Sequence, residues 1–561
     1  MGFDKEVDFL IIGSGAAAMA AGIRAHDLGL ETLLVEKGDH YGGSTAMSGG
    51  VVWVGNNPHM AGAGIADSDA ETLQYLQHIT AGEVPTEKLS AYVEGAQRTL
   101  AYLEEKAHLE VMPIAKYTDY YPEAPGGKMG ARSLEPRPFD GARLGETFKT
   151  LHPPAKSALV LGKFMITAAM AQAFIVLRFS SMLTLLGCFL GYLLRRGKRK
   201  RLGRDPHLTN GNALVGRLRL GLKDREVPLW LSAPARELLR DEDRVVGAVV
   251  ERAGETLRVG ARRGVLIAAG GFSRNLEMRK THGPAPAATD WTAANENNTG
   301  DGINMGAAVG GALDLMGEAW WTPVTQYPDT RSGWVLVVEK SLPGAIFVNG
   351  NGRRFTNESA PYVDVGVAQY RDHAETGCSI PAWMVFDARY RKNYIAGPVG
   401  PGKALPDKRL PRKLRKSFLR KADTLDALAE KIEVNAAGLS ETIAHYNQMA
   451  GAGVDTDYGR GESAADQYYG DPRVRPNPCM APLTQGPYYA IPVYPGDLGT
   501  KGGLVTDTAA RVLNAEGAVI PGLFAAGNAS ASMMGRTYPG AGGTIGPALT
   551  FGFLAAEHAA Q

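Results

Sequence analysis

The amino-terminal residues place apolar runs around a glycine-rich turn in the order of a βαβ unit. An apolar run over 9–12 leads into the turn GSGAAA at 13–18, then a helix-like stretch over 19–28 and a second apolar run over 32–35 that ends at Glu36. This succession of strand, G-x-G-x-x-A turn, helix, strand and acid has the spacing of dinucleotide-binding folds. The chain is therefore predicted to begin with a Rossmann-like α/β domain.

Each position of the turn has a physical role toward such a cofactor. Gly13 permits the tight turn, and Gly15 lets a pyrophosphate approach the backbone N–H groups at the start of the helix. Glu36 is placed to accept hydrogen bonds from a ribose diol, and its charge disfavours the 2′-phosphate of NADP.

Glycine-rich segments further along the chain indicate a long cofactor. Small residues occupy 42–50, an apolar run over 264–271 ends in two glycines, and a similar strand-and-glycine pattern recurs at 522–528. A cofactor that contacts both ends of the chain suits FAD better than NAD. We therefore expect FAD, held non-covalently, and no metal. The residues expected to line its site are Gly13, Ser14, Gly15, Ala16, Ala17, Glu36, Lys37, Gly43, Ser44, Thr45, Ser48, Gly49, Gly50, Ala269, Gly270, Asp301, Gly527, Asn528, Gly542, Thr544 and Ile545.

Composition narrows the class of protein. Apolar residues make up 44% and charged residues 21% of the 561 residues, which are ordinary values for a globular chain and exclude disorder or a fibre. The three cysteines lie far apart and match no metal-ligand spacing. Their odd number argues against a secreted, disulfide-stapled protein and favours a reducing compartment. Acids stand where a signal peptide carries its positive charges, so no export signal is expected.

Charge is distributed unevenly along the chain. Residues 151–204 contain no Asp or Glu and ten Lys or Arg, so a chain of net charge +2 carries −8 outside this segment. Residues 157–194 are strongly apolar, and the basic cluster RRGKRKRLGR follows at 195–204. Nucleic-acid binding is not expected, because the basic run lacks interleaved aromatic side chains.

Four interpretations of this apolar segment stay open. A spanning helix needs about 20 apolar residues, whereas the longest uncharged helical stretch has 16; a hairpin turning near Arg178 would have two short legs. A buried core helix followed by a solvated basic loop is a third interpretation. The fourth is an interfacial helix, whose polar stripe would consist of Lys163, Thr167, Arg178 and Ser181. We expect this last arrangement, with 157–204 resting on an anionic membrane surface on the cytoplasmic side.

Longer motifs resemble those of a known flavoprotein family. These motifs are VEKGDHYGGSTAMSGG, AKYTDYYPE, NESAPY, GDLGTKGGLVTD and GLFAAGNASASMMGRTYPGAGGTIGPA. The chain resembles the succinate dehydrogenase and fumarate reductase flavoproteins and, within them, the 3-ketosteroid Δ1-dehydrogenases. The resemblance implies an α/β fold with a Rossmann-like FAD-binding domain of the glutathione-reductase type over 1–318 and 499–561. An α+β substrate domain, which is also the catalytic domain, would be inserted at 319–498.

The resemblance also implies the chemistry, which is 1,2-desaturation of a 3-ketosteroid, including steroids that carry a side chain. Such a reaction needs a polarised ketone, a base for the adjacent proton and a hydride acceptor, here flavin N5. By resemblance, Tyr538 and the backbone N–H of Gly542 would hold the ketone oxygen. Tyr362 would remove the C2 proton, and Tyr120 would hydrogen-bond to Tyr362 and ease its deprotonation.

Three alternatives stay open. A fumarate-type reductase would need Arg or His side chains to clamp a dicarboxylate, but the sequence has GTKGG at 499–503 where such enzymes carry histidines. A 3-ketosteroid Δ4-(5α)-dehydrogenase would share the cofactor and the scaffold. A membrane-docked flavoprotein that binds sterols without turnover belongs to another class. The electron acceptor is expected to be a quinone or an artificial acceptor.

Overall fold

The computed structural model describes residues 2–160, 162–167, 170–171, 179–328 and 330–561. The helices of the described residues are α1 Ala16–Asp27, α2 Gly43–Met47, α3 Asp69–Thr80, α4 Thr86–Lys106, α5 Phe179–Leu194, α6 Arg196–Leu202, α7 Asn210–Asp224, α8 Leu276–His282, α9 Asp301–Ala308, α10 Tyr362–Thr376, α11 Ala388–Asn393, α12 Leu425–Ile432, α13 Ala436–Ala452, α14 Ala464–Tyr468 and α15 Ile545–Ala559. The strands are β1 Lys5–Ile12, β2 Thr32–Val35, β3 Val52–Trp53, β4 Val111–Pro113, β5 Ser133–Pro136, β6 Phe139–Asp140, β7 Leu159–Val160, β8 Phe164–Met165, β9 His207–Leu208, β10 Leu229–Trp230, β11 Ala235–Asp241, β12 Arg244–Arg252, β13 Glu255–Ile267, β14 Leu313–Asp314, β15 Ala319–Gln326, β16 Gly333–Val335, β17 Ala345–Val348, β18 Ala382–Phe386, β19 Arg420–Ala422, β20 Tyr488–Thr500, β21 Gly503–Leu504, β22 Arg511–Leu513 and β23 Val519–Ala525.

The larger sheet contains the predicted dinucleotide-binding unit. Its strand order is β10-β2-β1-β13-β12-β11, and β23 pairs with the end of β13. β1 lies parallel between β2 and β13, with Phe9 opposite Thr32 and Ile12 opposite Ile267. Residues 9–12 of β1 and 265–267 of β13 are apolar and buried, as expected where both faces of a parallel sheet are covered. The predicted strands are confirmed, and the helix begins three residues earlier than predicted, because alanine, the strongest helix former, occupies 16–18.

The carboxyl-terminal helix lies directly against the first helix of the chain. α15 contacts α1, and a side chain at Gly552 of α15 would lie 2.3 Å from the carbonyl oxygen of Ala17. Glycine at this position therefore permits the close approach of the two helices. As a result, the carboxyl-terminal helix lies close to the glycine-rich turn at 13–18, near the beginning of the chain.

The second large sheet is antiparallel. Its strand order is β16-β15-β20-β18-β17, and β19 pairs with β20. Ala319, at the start of β15, pairs with Thr500, at the end of β20. The chain therefore enters and leaves this sheet at adjacent points, which an inserted unit requires. The division at 319–498 stays a prediction.

The apolar segment does not form the continuous helix expected over 157–194. β7 and β8 pair in a short antiparallel hairpin, with Lys163 in its turn and Thr167 beyond its second strand. Gly162 at the turn has a φ of 65°, a left-handed conformation that interrupts a helix. The polar stripe is therefore wrong at Lys163 and Thr167. Arg178 and the side chain of Ser181 lie outside the described residues.

The helix that follows exposes apolar side chains. The exposed leucines of α5 are Leu183, Leu186, Leu190, Leu193 and Leu194, with exposed fractions of 47–87%. Steps of three and four residues place Leu183, Leu186, Leu190 and Leu193 on one face of the helix, and Leu194 is its last residue. The interpretation of a buried core helix is therefore wrong for α5. Across the described part of the chain, we find no helix with the length and apolar character that crossing a bilayer would require.

Candidate active site

One cavity of about 490 Å³ extends from the carboxyl ends of β1 and β2 to a cluster of tyrosines. Its size is in the range of sites for small molecules and cofactors. Every residue predicted from the sequence to bind the cofactor or to act in catalysis lines this cavity. The structure thus brings together the glycine-rich turns, the acid after β2 and the three tyrosines, although they are far apart in the sequence.

The acid after β2 is held in a defined orientation. The Ser14 hydroxyl donates a hydrogen bond of 2.6 Å to Glu36 Oε2, and the Gly38 N–H donates one of 2.8 Å to Oε1. Burial raises the pKa of Glu36, while the two donors act to lower it. A carboxylate fixed in this way at the cavity wall is suited to accept hydrogen bonds from a diol.

Two helix N-termini also line the cavity. α1 begins after Gly15 and α15 begins after Thr544, and neither cap residue uses a side chain to bond its own helix. Because a helix N-terminus presents backbone N–H groups and a positive dipole end, it favours an anionic ligand. This arrangement fits FAD, with the pyrophosphate expected at the α1 end.

Asparagines that the sequence prediction missed hold the next wall in place. The Ser44 hydroxyl accepts hydrogen bonds from the N–H of Asn295 at 2.9 Å and from Nδ2 of Asn298 at 3.0 Å. Both asparagines line the cavity, as do Asn210 and Asn297. The polar run AANENN at 293–298 is the sequence signal that could have indicated them.

The three tyrosines named in the sequence prediction meet at the far end of the cavity. Tyr120 lies in the loop after β4, Tyr362 is the first residue of α10, and Tyr538 lies in the loop before α15. The distances between their ring centroids are 5.2–5.6 Å. The three phenols therefore form one cluster around a single point of the cavity.

The loop that carries Tyr120 is fixed by buried polar contacts. Its backbone N–H donates to the carbonyl of Pro539 at 3.0 Å, next to Tyr538. The neighbouring Asp119 accepts hydrogen bonds from Trp53 Nε1 and from Arg132 Nη1, each at 2.8 Å. Burial raises the pKa of Asp119 to about 6, against the opposing effect of Arg132. These contacts set the side chain of Tyr120 toward the other two tyrosines.

Burial dominates the ionisation of the phenols. It raises the pKa of Tyr120 and of Tyr362 well above the ordinary phenol value. The Tyr120 hydroxyl lowers the pKa of Tyr362, in the predicted direction, but by less than burial raises it. The net direction is therefore opposite to the easy deprotonation expected from the sequence.

Two further tyrosines extend the cluster. Tyr469 donates a hydrogen bond of 3.0 Å to the hydroxyl of Tyr117, which lies 3.4 Å from the hydroxyl of Tyr120. Both line the cavity. No role is assigned to either of them from the sequence. Tyr117 lies in the AKYTDYYPE motif three residues before Tyr120, whereas Tyr469 lies in none of the motifs.

Gly542 places a backbone N–H among the phenols. Its φ is 98°, and a side chain there would lie 2.5 Å from the backbone nitrogen of Trp53. Burial raises the pKa of Tyr538, and the backbone of Gly542 acts to lower it. Tyr538 and Gly542 both line the cavity, as the predicted oxyanion-binding pair would need.

Apolar side chains line the cavity together with the tyrosines, among them Val335, Val337 and Leu498. Among the described lining residues, the basic side chains are Lys37 and His40, which follow Glu36 at the other end of the cavity and contact Asp301 and Asp39 at 2.6 Å. The arrangement suits an uncharged ketone rather than an acid.

Comparison with known proteins agrees with this geometry. The FAD binding domain family matches residues 8–545. A 3-oxosteroid 1-dehydrogenase of Mycolicibacterium smegmatis is 42% identical, over 98% of this chain and 97% of its own length. The chain belongs to the 3-oxosteroid 1-dehydrogenase family.

Solved structures support the same family. The 3-ketosteroid Δ1-dehydrogenase of Sterolibacterium denitrificans, solved with 1,4-androstadiene-3,17-dione, is 44% identical with a TM-score of 0.96 and covers 99% of both chains. The 3-ketosteroid Δ4-(5α)-dehydrogenase of Rhodococcus jostii RHA1 is 21% identical with a TM-score of 0.66, covering 100% of this chain and 98% of its own, which is a likeness of fold. The predictions of an α/β flavoprotein fold and of FAD as the cofactor are confirmed.

Proposed function

We propose that this chain catalyses the FAD-dependent 1,2-desaturation of a 3-ketosteroid. The observation that carries the proposal is that three clustered phenols and the backbone of Gly542 line the same cavity as the cofactor residues. An uncharged ketone suits a cluster of phenol donors, and membership of the 3-oxosteroid 1-dehydrogenase family supports the same substrate class.

Each residue of the cluster has a separate task in this reaction. The Tyr538 hydroxyl and the Gly542 N–H hold the ketone oxygen and stabilise negative charge on it, which makes the C2 proton acidic. Tyr362, as its phenolate, takes this proton. Tyr120 opposes the effect of burial on the pKa of Tyr362. Bound FAD supplies the acceptor for the hydride that leaves C1.

The alternatives are less well supported. A dicarboxylate would require cationic partners, and the described residues that line the cavity include no arginine, while the lining Lys37 and His40 follow Glu36 in the chain. The Δ4-(5α)-dehydrogenase shares the fold at 21% identity, whereas the Δ1-dehydrogenase shares it at 44%. We propose that a quinone, or an artificial acceptor in the assay, reoxidises the flavin.

The substrate proposal is tested by anaerobic mixing of the FAD-loaded protein with 4-en-3-one steroids that differ in side-chain length. We expect the flavin absorbance to bleach and a 1,4-diene-3-one to form. If none of the steroids bleaches the flavin absorbance, the result would support a binding protein without turnover and contradict the proposal. The same assay is repeated with a 5α-reduced 3-ketosteroid. Formation of a 4-en-3-one without a 1,2 double bond would support the Δ4 alternative.

We further propose that 157–204 attaches the protein peripherally to the cytoplasmic face of a membrane. The leucine face of α5 is exposed, and the basic helix α6 follows it directly. Arg196, Lys200 and Arg201 are exposed, whereas Arg195 and Lys198 form ion pairs with Asp205 and Asp140. Exposed cations beside an apolar face suit an anionic bilayer surface, where each charge adds on the order of 1 kcal/mol.

A single charge on the leucine face tests the membrane proposal. Leu190→Glu should weaken sedimentation with phosphatidylglycerol-containing vesicles, because it places a carboxylate in the apolar face. Val454→Glu is a matched control, since the exposed fractions of Val454 and Leu190 are 51% and 50%. Equal vesicle binding of both variants would contradict the proposal.

A further inference from the structure

A buried lysine lies behind the phenol that is proposed to hold the ketone. Lys501 belongs to the GTKGG motif at the end of β20, and its side chain is fully buried. Its Nζ donates a hydrogen bond of 2.6 Å to the carbonyl of Thr537, the residue before Tyr538. The same Nζ lies 4.5 Å from the ring centroid of Trp320.

The indole in this contact also supports Tyr538. The ring centroid of Trp320 is 4.7 Å from that of Tyr538, and Trp320 Nε1 donates to Asn528 Oδ1 at 3.2 Å. Lys501 therefore touches both the peptide that precedes Tyr538 and the ring that packs beside it. No other lysine of the described residues shares both contacts.

The surroundings of Lys501 are unusual for a cation. Glu83 and Glu318, which are nearby, form their ion pairs with Arg536. Burial lowers the pKa of Lys501 to about 7, although Glu318, Asp364 and Glu83 act in the opposite direction. Because burying an amine is costly, stability alone does not account for a lysine here. Both protonation states of the amine keep an N–H for the Thr537 carbonyl.

We infer that Lys501 is a positioning residue for Tyr538. By holding the Thr537 carbonyl and the Trp320 ring, its amine keeps the Tyr538 hydroxyl directed at the ketone oxygen beside the Gly542 N–H. This inference rests on the proposed role of Tyr538 in the steroid reaction. Lys501 does not line the cavity and acts only through its neighbours.

A double-mutant cycle on the rate of anaerobic flavin reduction tests this inference. Lys501→Met should slow reduction about tenfold to hundredfold, because a buried hydrogen bond is lost. In the background of Tyr538→Phe, the same change should have less than about a twofold effect, since the phenol that it positions is gone. FAD content and melting temperature verify that each variant is folded, and Lys501→Gln, which keeps an N–H donor, replaces the Met variant if that variant does not fold.

Lys88 supplies the matched control. It is another lysine whose Nζ donates to a backbone carbonyl at 2.6 Å, that of Thr506, and burial lowers its pKa to about 8. Lys88→Met should leave the reduction rate within about twofold of wild type.

The outcomes separate the two claims. Equal slowing by Lys501→Met in both backgrounds would overturn the inference and leave the role of Tyr538 intact. A normal rate for Tyr538→Phe alone would overturn the proposed role of Tyr538, and with it the inference. If Lys501→Met slows reduction in the wild-type background but not in the Tyr538→Phe background, the result would support both the role of Tyr538 and the positioning role of Lys501.

Discussion

Removing the oxygen of Tyr362 should separate catalysis from folding. Tyr362→Phe keeps the ring, which lies 5.4 Å from the ring centroid of Tyr120 and 5.6 Å from that of Tyr538. Loss of a general base costs about 10²- to 10⁴-fold in rate, which corresponds to about 3–5 kcal/mol of activation free energy. Because the hydroxyl is buried and the ring contacts remain, the free energy of unfolding should change by less than about 1.5 kcal/mol.

The assay is stopped-flow flavin reduction by a 4-en-3-one steroid under anaerobic conditions, with thermal unfolding measured in parallel. Tyr121→Phe is the control, because the adjacent Tyr121 donates to Asp364 at 3.0 Å and does not line the cavity. We expect the control to retain the wild-type rate within a few-fold. A Tyr362→Phe rate within threefold of wild type would refute the assignment of the base, as would an equal loss in the control.

Three other changes test separate parts of the site. Gly542→Ala should destabilise the fold by about 1–3 kcal/mol in thermal unfolding, because φ is 98° and the added carbon would meet the Trp53 nitrogen at 2.5 Å; an unchanged melting temperature would contradict the described backbone. Glu36→Ala should weaken FAD binding about tenfold to hundredfold in a fluorescence titration, and unchanged affinity would exclude the expected contact with the ribose. Because burial raises the pKa of Tyr362 and its phenolate is the base, the reduction rate at low substrate should rise with pH, about tenfold per unit. A rate independent of pH between 6 and 9 would contradict this assignment.

Local patterns predicted the cofactor half of the site well. β2 occupies the predicted residues 32–35, and β1 contains the predicted run over 9–12. In these segments, unbroken apolar runs and a glycine turn leave few alternatives, so sequence and tertiary structure agree. Burial, by contrast, is a tertiary property, so no local pattern indicates that it raises the pKa of Tyr362.

The parts that sequence reasoning missed depend on contacts between distant segments. Tyr469 hydrogen-bonds to Tyr117, which lies 352 residues earlier in the chain, and Tyr469 lies outside every motif identified in the sequence. The hairpin at 159–165 interrupts an apolar run that has no strand alternation, so hydrophobicity alone predicted a helix there. Asp119, which fixes the Tyr120 loop, is one of 58 acidic residues and gains its role only through Trp53 and Arg132.

Isotope loss from a labelled substrate tests the central claim most directly. A 4-en-3-one steroid fully deuterated at C1 and C2 is converted by the FAD-loaded protein, and the deuterium content of the product is read by mass spectrometry. Removal of one hydride from C1 and one proton from C2 predicts a product that has lost one deuterium from each carbon. A product that retains all deuterium at both carbons while the flavin is reduced would contradict the account.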